Sequence, residues 1–299
     1  MFVSSREMLL EAQRGGYAVG AFNFENMEML QAIVGAAEEM RAPIMLQTTP
    51  STVKYASVEL FAAMAREVAG RASVPVALHL DHGNSFELAR AAAGAGYTSL
   101  MIDGSQLDFE ANVALSRSVV DMVAEQGLNI PVEAELGTVG GKEDSTVAHG
   151  VAYTEPDKAA EFAERTGIAS LAVAIGTAHG IYKGTPHLDI PRLAEIRKVV
   201  TIPLVLHGAS GVPDDQVRAC VANGICKVNY ATELRIAYSN GVKAYLAEKP
   251  DTFDPKKYGT RGKEYVAAAV KARIEVLGSA GRAQVNGAVQ ASGSRRGGG

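Results

Sequence analysis

Eight short apolar runs separated by amphipathic stretches dominate this sequence: 17–24, 42–49, 74–82, 98–104, 129–136, 169–177, 202–208 and 225–232. Runs of this length that stay apolar on both faces are characteristic of parallel strands covered by helices. Between them apolar residues recur at helical spacing, as with Leu30, Ile33, Ala37 and Met40, then Leu193, Ile196 and Val200, and in a last helix Val266, Val270, Ile274 and Leu277. Pro43, Pro75, Pro131 and Pro203 stand at strand entrances, where a missing N–H is tolerated. Eight such units in 299 residues predict the α/β class and a single (β/α)8 barrel of the TIM type with an extra C-terminal helix. The rival doubly wound sheet would carry GxGxxG after its first strand, and none stands there. The barrel is expected over residues 1–282, followed by a flexible tail over 283–299, where small and polar residues leave no apolar stripe. Two connections, 137–156 and 248–262, exceed what a barrel needs and are expected to be loops.

Composition narrows the function classes. Lys+Arg 29 against Asp+Glu 33 gives a net charge of -4, which lacks the basic excess of a nucleic-acid binder. No basic n-region precedes an apolar run at the N-terminus, and no stretch is long and apolar enough to cross a membrane. Two cysteines, Cys220 in a predicted helix and Cys226 in a predicted strand, exclude a disulfide scaffold and a thiolate zinc module and read as reduced core residues. A cytoplasmic protein is expected.

Barrel enzymes collect their chemistry at the C-terminal strand ends. Those ends carry Asn23, Thr49, Asp81 and His82, Asp103, Glu133 and Glu135, His179, His207 and Gly208, and Asn229. Three imidazoles, from His82, His179 and His207, form the ligand set of a catalytic Zn²⁺ with an open position. His79 reads as core, and His149 and His187 as solvated loop residues. Asp81 is placed to orient a substrate carbonyl or to move a proton. Glu143 lies in the glycine-rich stretch GTVGGKED, which would let a general base approach from a loop. HGASG (207–211) and VNYATE (228–233) follow the last two strands, where barrels bind phosphate, so N–H groups at Ser210, Ala231 and Thr232 are expected to cradle an anion.

LHLDH (78–82), EAELGTVGGKED (133–144), AVAIGTAHGIY (172–182), VLHGASG (205–211) and KVNYATELR (227–235) together resemble the class II, zinc-dependent ketose-1,6-bisphosphate aldolases, from about residue 5 to residue 282. The resemblance implies His82, His179 and His207 as zinc ligands, Asp81 as the acid and base at the C4 hydroxyl, Glu143 as the loop base at C3, and Asn229 as the amide that steadies the reacting enediolate. It implies Gly180, Gly208, Ser210 and the Asn229–Thr232 loop, including Ala231, as the dihydroxyacetone phosphate site. Arg235 matches a basic position for the distal phosphate, Asn23 and Thr49 fall in the substrate site, and Asp103 and Glu135 match carboxylates near an alternative metal position. A monovalent cation, Na⁺ or K⁺, is implied near His179 and His207. A homodimer or homotetramer and a non-catalytic partner subunit also occur among such proteins.

The expected reaction is reversible cleavage of a sugar bisphosphate to dihydroxyacetone phosphate and glyceraldehyde 3-phosphate. AVAIGTAHG, VNYATEL and Ala231 resemble the tagatose-bisphosphate type, whereas DHGNSFE and GTVGGKED also look like short fructose-bisphosphate aldolases. D-tagatose 1,6-bisphosphate is the first choice, with fructose 1,6-bisphosphate or another phosphorylated sugar as the alternatives. A Schiff-base aldolase using Lys227 would leave three histidines unexplained. A non-catalytic support barrel would be expected to have lost Asp81, His82 or Glu143, and all three are present. An isomerase or epimerase would fit the anion site and would release no triose phosphate.

Overall fold

The four strand-entrance prolines sit directly before Ile44, Val76, Val132 and Leu204, each the first residue of a strand, so the ring closes the chain's helical option where the ladder begins. In the computed structural model, residues 1–143, 146–147, 152–182 and 184–283 are described, with no side-chain description for 142, 143, 146 and 147. The expected tail from 284 onward, and His149, lie outside them.

Eight parallel strands close into a barrel: β1 (Val19–Asn23), β2 (Ile44–Thr48), β3 (Val76–Gly83), β4 (Ser99–Ile102), β5 (Val132–Leu136), β8 (Ser170–Val173), β10 (Leu204–Leu206) and β11 (Ile225–Tyr230). Seven lie within a run read from the sequence, and β3 extends one residue past its run, to Gly83. β1 pairs with β11, with Ala21 opposite Asn229, and this pairing completes the ring. The expected TIM barrel is therefore the fold.

Helices cover the outside. Leu30, Ile33 and Ala37 of α2 (Met27–Met40), Leu193 and Ile196 of α8 (Ile190–Val199), and Val266, Val270 and Ile274 of α11 (Pro255–Val276) are buried, as their spacing predicts. Helix α1 (Ser5–Gly15) seals the N-terminal end, where Met8, Leu9 and Ala12 pack with Val19, Met45, Ala77 and Cys226. Both cysteines are free and buried.

The two long connections depart from the expectation of loops. The first contains β6 (Gly140–Glu143) and β7 (Thr146–Val147), which with β9 (Ala178–His179) form a three-stranded sheet in the order β7-β6-β9. The second is mostly helical. Asp254 caps α11 by accepting from the Lys256 N–H, Pro255 occupies its first turn, and helix then runs through 256–262, within the stretch expected to be loop. Gly262 of α11 and Gly241 of the preceding helix serve packing. α11 lies against α10 (Thr232–Glu248), and a Cβ at Gly241 would come within 2.6 Å of the Arg261 carbonyl oxygen. Gly241→Ala is expected to cost about 1–3 kcal/mol of stability through this overpacking. Gly35→Ala, at an open helical position, is expected to be neutral or stabilising. Thermal unfolding of the two variants checks this, and equal midpoints would contradict it.

Candidate active site

The site begins with an irregularity in β3. Its register against β4 shifts between Leu80 and Gly83, and His82 takes a φ of +49°, in the left-handed region. Such backbone is costly for a residue with a Cβ and persists where its surroundings hold it. Here the His82 N–H donates to Met101 Sδ, and His82 Nδ1 lies 2.7 Å from Asp103 Oδ2. Asp103 is itself fixed by the Ser105 N–H, which donates to its Oδ1.

His179 arrives from β9 and His207 follows β10. One ring nitrogen from each of His82, His179 and His207 lies within 4.8 Å of the others, and this is a donor cluster that could hold a metal ion. Ring centroids are 4.9 Å apart for His82–His179 and 4.6 Å apart for His82–His207. His207 touches a carboxylate at each nitrogen: Nδ1 is 2.8 Å from Glu135 Oε2 and Nε2 is 3.0 Å from Glu133 Oε1. Carboxylates that support ring nitrogens are the usual backing of imidazole metal ligands, and three imidazoles with an open side suit zinc.

The ionisation of the trio follows from its neighbours. Burial pushes His82 down, but Asp81 and Asp103 outweigh it and raise it well above the ordinary value. Burial also opposes the charged form of His207, which contacts with Glu133 and Glu135 nonetheless raise. His179 is driven well below its ordinary value by burial and by positive charge at His82 and His207. Burial pushes the Asp81 carboxyl up, yet positive charge at His82, His207 and Lys227 holds it below the usual range, so it is ionised at neutral pH.

Above the trio lies a small cavity lined by Asn23, Asp81, His82, His179, Gly180, Gly208, Ser210, Asn229, Ala231 and Thr232. Each of these ten residues is one that the sequence singles out. Asn229 Nδ2 donates to Asp81 Oδ1 at 2.9 Å and Asn23 Nδ2 donates to Asp81 Oδ2 at 3.3 Å, so two amides clamp one carboxylate. Asn229 Oδ1 is buried without a hydrogen-bond partner. α10 starts at Ala231, which has no side-chain oxygen to cap it, and the Glu233 N–H in its first turn donates to Ser210 Oγ. This helix start borders the cavity and offers N–H groups to an anion.

Other predicted residues lie around this cavity. Thr49 caps the short helix α3 (Pro50–Tyr55), where its Oγ1 accepts from the Thr52 N–H, and it does not line the cavity. Arg235 pairs with Glu25, which also accepts from Thr52 Oγ1, and likewise stands outside the lining. Asp103 and Glu135 lie behind His82 and His207. Glu143 is placed by its backbone in β6, and its side chain is outside the described part. β6 pairs in parallel with β9, with Gly141 opposite His179, and a Cβ on Gly141 would collide with the His179 backbone. The segment that leads to Glu143 is therefore built directly onto a histidine of the trio.

Sequence reasoning missed three contributors. Tyr182 Oη accepts from the Ala178 N–H and donates to the Gly208 carbonyl, which ties the His179 segment to the loop after His207. Gln47 Nε2 donates to Asn23 Oδ1. Lys227, weighed only as a Schiff-base nucleophile, lies fully buried against Glu133 beneath the trio. The alternation of polar residues in LHLDH, VEAEL and KVN could have revealed the last of these, because every second residue shares a face. His79 is buried as expected and His187 is exposed.

The family model for class II fructose-bisphosphate aldolase matches residues 3–282. Among solved structures, the YdjI aldolase from Escherichia coli K12 is similar at 37% identity and a TM-score of 0.84, over 95% of this chain and 100% of that one. A structure from Coccidioides immitis with a provisional fructose-1,6-bisphosphate aldolase assignment is 31% identical, with a TM-score of 0.84, over 93% of this chain and 98% of that one. Fructose-bisphosphate aldolase from Campylobacter jejuni shares the fold at 22% identity and a TM-score of 0.78, over 93% of this chain and 96% of that one. Among the described residues no helix is long and apolar enough to cross a membrane.

One ionisation beside the anion loop has a consequence for stability. Burial pushes the Glu233 carboxyl up to about 7, against the pull of Arg273 and with Asp214 adding to the rise. Its folded value lies above the ordinary 4.5, so the folded state holds the proton longer and its stability falls as pH rises between those values. Glu233→Gln is expected to flatten the decline in melting temperature between about pH 5 and pH 7, and an unchanged slope would contradict this.

Proposed function

This chain belongs to the class II fructose-bisphosphate aldolase family and is an aldolase-type lyase, and from that premise we propose zinc-dependent, reversible cleavage of a ketose 1,6-bisphosphate, first D-tagatose 1,6-bisphosphate, to dihydroxyacetone phosphate and glyceraldehyde 3-phosphate. The observation that carries this reading is the convergence of His82, His179 and His207 within 4.8 Å, beside an ionised Asp81 clamped by two amides. A Zn²⁺ held by the three imidazoles supplies Lewis-acid polarisation of the substrate ketone.

The chain's own residues do the rest. In the cleavage direction Asp81 accepts the proton of the C4 hydroxyl, the C3–C4 bond breaks, and the aldehyde leaves. Glu143 then returns a proton to C3. Asn229, its amide nitrogen committed to Asp81, has a buried Oδ1 left to accept from a substrate hydroxyl. Gly180, Gly208, Ser210, Ala231 and Thr232 surround the phosphate of the dihydroxyacetone half, and this anchoring holds the reacting carbon near the base. Asn23, bonded to Asp81, is assigned to the sugar site, and Arg235, paired with Glu25, to the distal phosphate. Asp103 backs His82 through Nδ1, and Asp103 and Glu135 are the carboxylates that would offer an alternative position for the ion. Carbonyls near His179 and His207 suit a Na⁺ or K⁺ ion that balances substrate charge. A cytoplasmic homodimer or homotetramer is the proposed form.

The tagatose preference rests on Ala231, an uncharged residue in the cavity lining, together with AVAIGTAHG. The zinc-loaded protein is expected to cleave tagatose 1,6-bisphosphate with a kcat/KM at least equal to that for fructose 1,6-bisphosphate. A fructose preference well above tenfold would reverse the assignment. Chelation is expected to abolish activity and zinc to restore it. Asp81→Asn is expected to lower kcat by about 10²–10⁴ with KM little changed. Cleavage that survives chelation and is lost to borohydride with substrate would overturn the metal reading.

A further inference from the structure

Lys227 stands on β11 inside the barrel, wholly buried, and the proposed reaction gives it no task. Its Nζ donates to Glu133 Oε1 at 2.9 Å. The same oxygen accepts from His207 Nε2 at 3.0 Å, and the other oxygen, Oε2, accepts from Ser170 Oγ at 3.2 Å. Lys227 Nζ also lies 3.4 Å from His79 Nε2. Burial and the Lys227 charge push His79 down to about 3, so it is a neutral acceptor. His79 Nδ1 lies 2.7 Å from Ser99 Oγ, which accepts from Ser5 Oγ of α1. A hydrogen-bonded chain thus runs up the barrel axis from the N-terminal helix to a histidine of the trio.

We infer that Lys227 is a positioning residue for His207, acting through Glu133 to present the other ring nitrogen, Nδ1, to the metal. Stability alone does not explain the lysine, because a buried ion pair is often replaced by apolar side chains at no cost. Its placement does. Glu133 lies two residues before Glu135 on β5, on the same inward face and one layer deeper, so the Nε2 contact is on the floor side of the ring. The ammonium and the Ser170 hydroxyl fix the Glu133 carboxylate from two sides, and the carboxylate fixes the ring. Nδ1, 2.8 Å from Glu135 Oε2, is thereby left as the nitrogen to meet the ion. With the lysine removed, a buried carboxylate loses its only cationic side chain other than histidine among the described contacts, and the ring loses its fixed support.

This inference rests on the metal reading of the trio, and zinc affinity separates the two. Zinc dissociation constants would be measured by competition with a chromophoric chelator for the wild-type protein, Lys227→Met, Glu133→Gln, the double variant and Ser99→Ala, with circular dichroism recording the fold of each metal-free form. A wild-type protein that binds no zinc would overturn the metal reading itself. With that binding in hand, Lys227→Met is expected to weaken zinc about 10–100-fold, the range for support of a ligand. Glu133→Gln is expected to do likewise, and the double variant to be no weaker than the worse single variant. Ser99→Ala cuts the same chain on the far side of Lys227 and is expected to stay within about twofold of wild type. Near-wild-type affinity in Lys227→Met, losses that multiply in the double variant, or an equal loss in Ser99→Ala would each overturn the inference. Should Lys227→Met fail to fold, the charge-neutral double variant carries the test: at least tenfold weaker zinc supports the role, and wild-type affinity overturns it.

Discussion

Charges buried inside the barrel have to be paired there, and the site is arranged around that requirement. Barrel interiors are ordinarily filled with branched apolar side chains. Here inward positions of β3, β5 and β11 carry His79, Asp81, Glu133, Glu135, Lys227 and Asn229, and all but Asn229 are titratable groups. An unpaired charge in such a place would be prohibitive. Each of these residues accordingly has a partner in the interior, in a ladder whose lower layer is Lys227, Glu133 and His79 and whose upper layer is Asp81 with its two amides.

The ladder converts fold stability into site geometry. Ordinary hydrophobic packing of helices on strands fixes the strands, and the strands fix the inward residues in layers. The interior pairs then fix the rings and carboxylates at the mouth. Backbone contacts do the same for the loops. The β6–β9 pairing joins the segment of Glu143 to His179, and Tyr182 joins His179's segment to Gly208. A shift in one of these loops is therefore felt by its neighbours without passing through the substrate.

Much of this was legible in the sequence, and for identifiable reasons. Eight apolar runs are a strong signal because strands covered on both faces tolerate little polarity, and each run holds its barrel strand to within one residue at the strand's end. Of the ten residues that line the cavity, six are legible at the strand ends and Ser210, Ala231 and Thr232 in the loops after the last two strands, since a barrel displays its chemistry at one end, whereas Gly180 came only from the family resemblance. Thr49 shows the limit of that method. A hydroxyl at a strand end serves equally well as a helix cap, and here it caps α3. The segment 248–262 was misleading because its length and its two prolines read as loop, whereas Pro255 opens α11, and Gly241 and Gly262 allow α10 and α11 to approach closely. Lys227 and Tyr182 were hidden for a different reason. Their importance lies in which partners the closed ring brings to them, and Lys227 is 94 residues from Glu133 along the chain.

Three imidazoles, with no thiolate, are proposed to hold one zinc ion at the mouth of this barrel. X-ray absorption at the zinc edge of the zinc-loaded protein, with metal content measured on the same sample, tests it most directly. About one zinc per chain, a nitrogen and oxygen shell at about 2.0–2.1 Å, and the outer-shell scattering of about three imidazoles are expected. A sulfur shell near 2.3 Å, or a protein that retains no zinc, would contradict it.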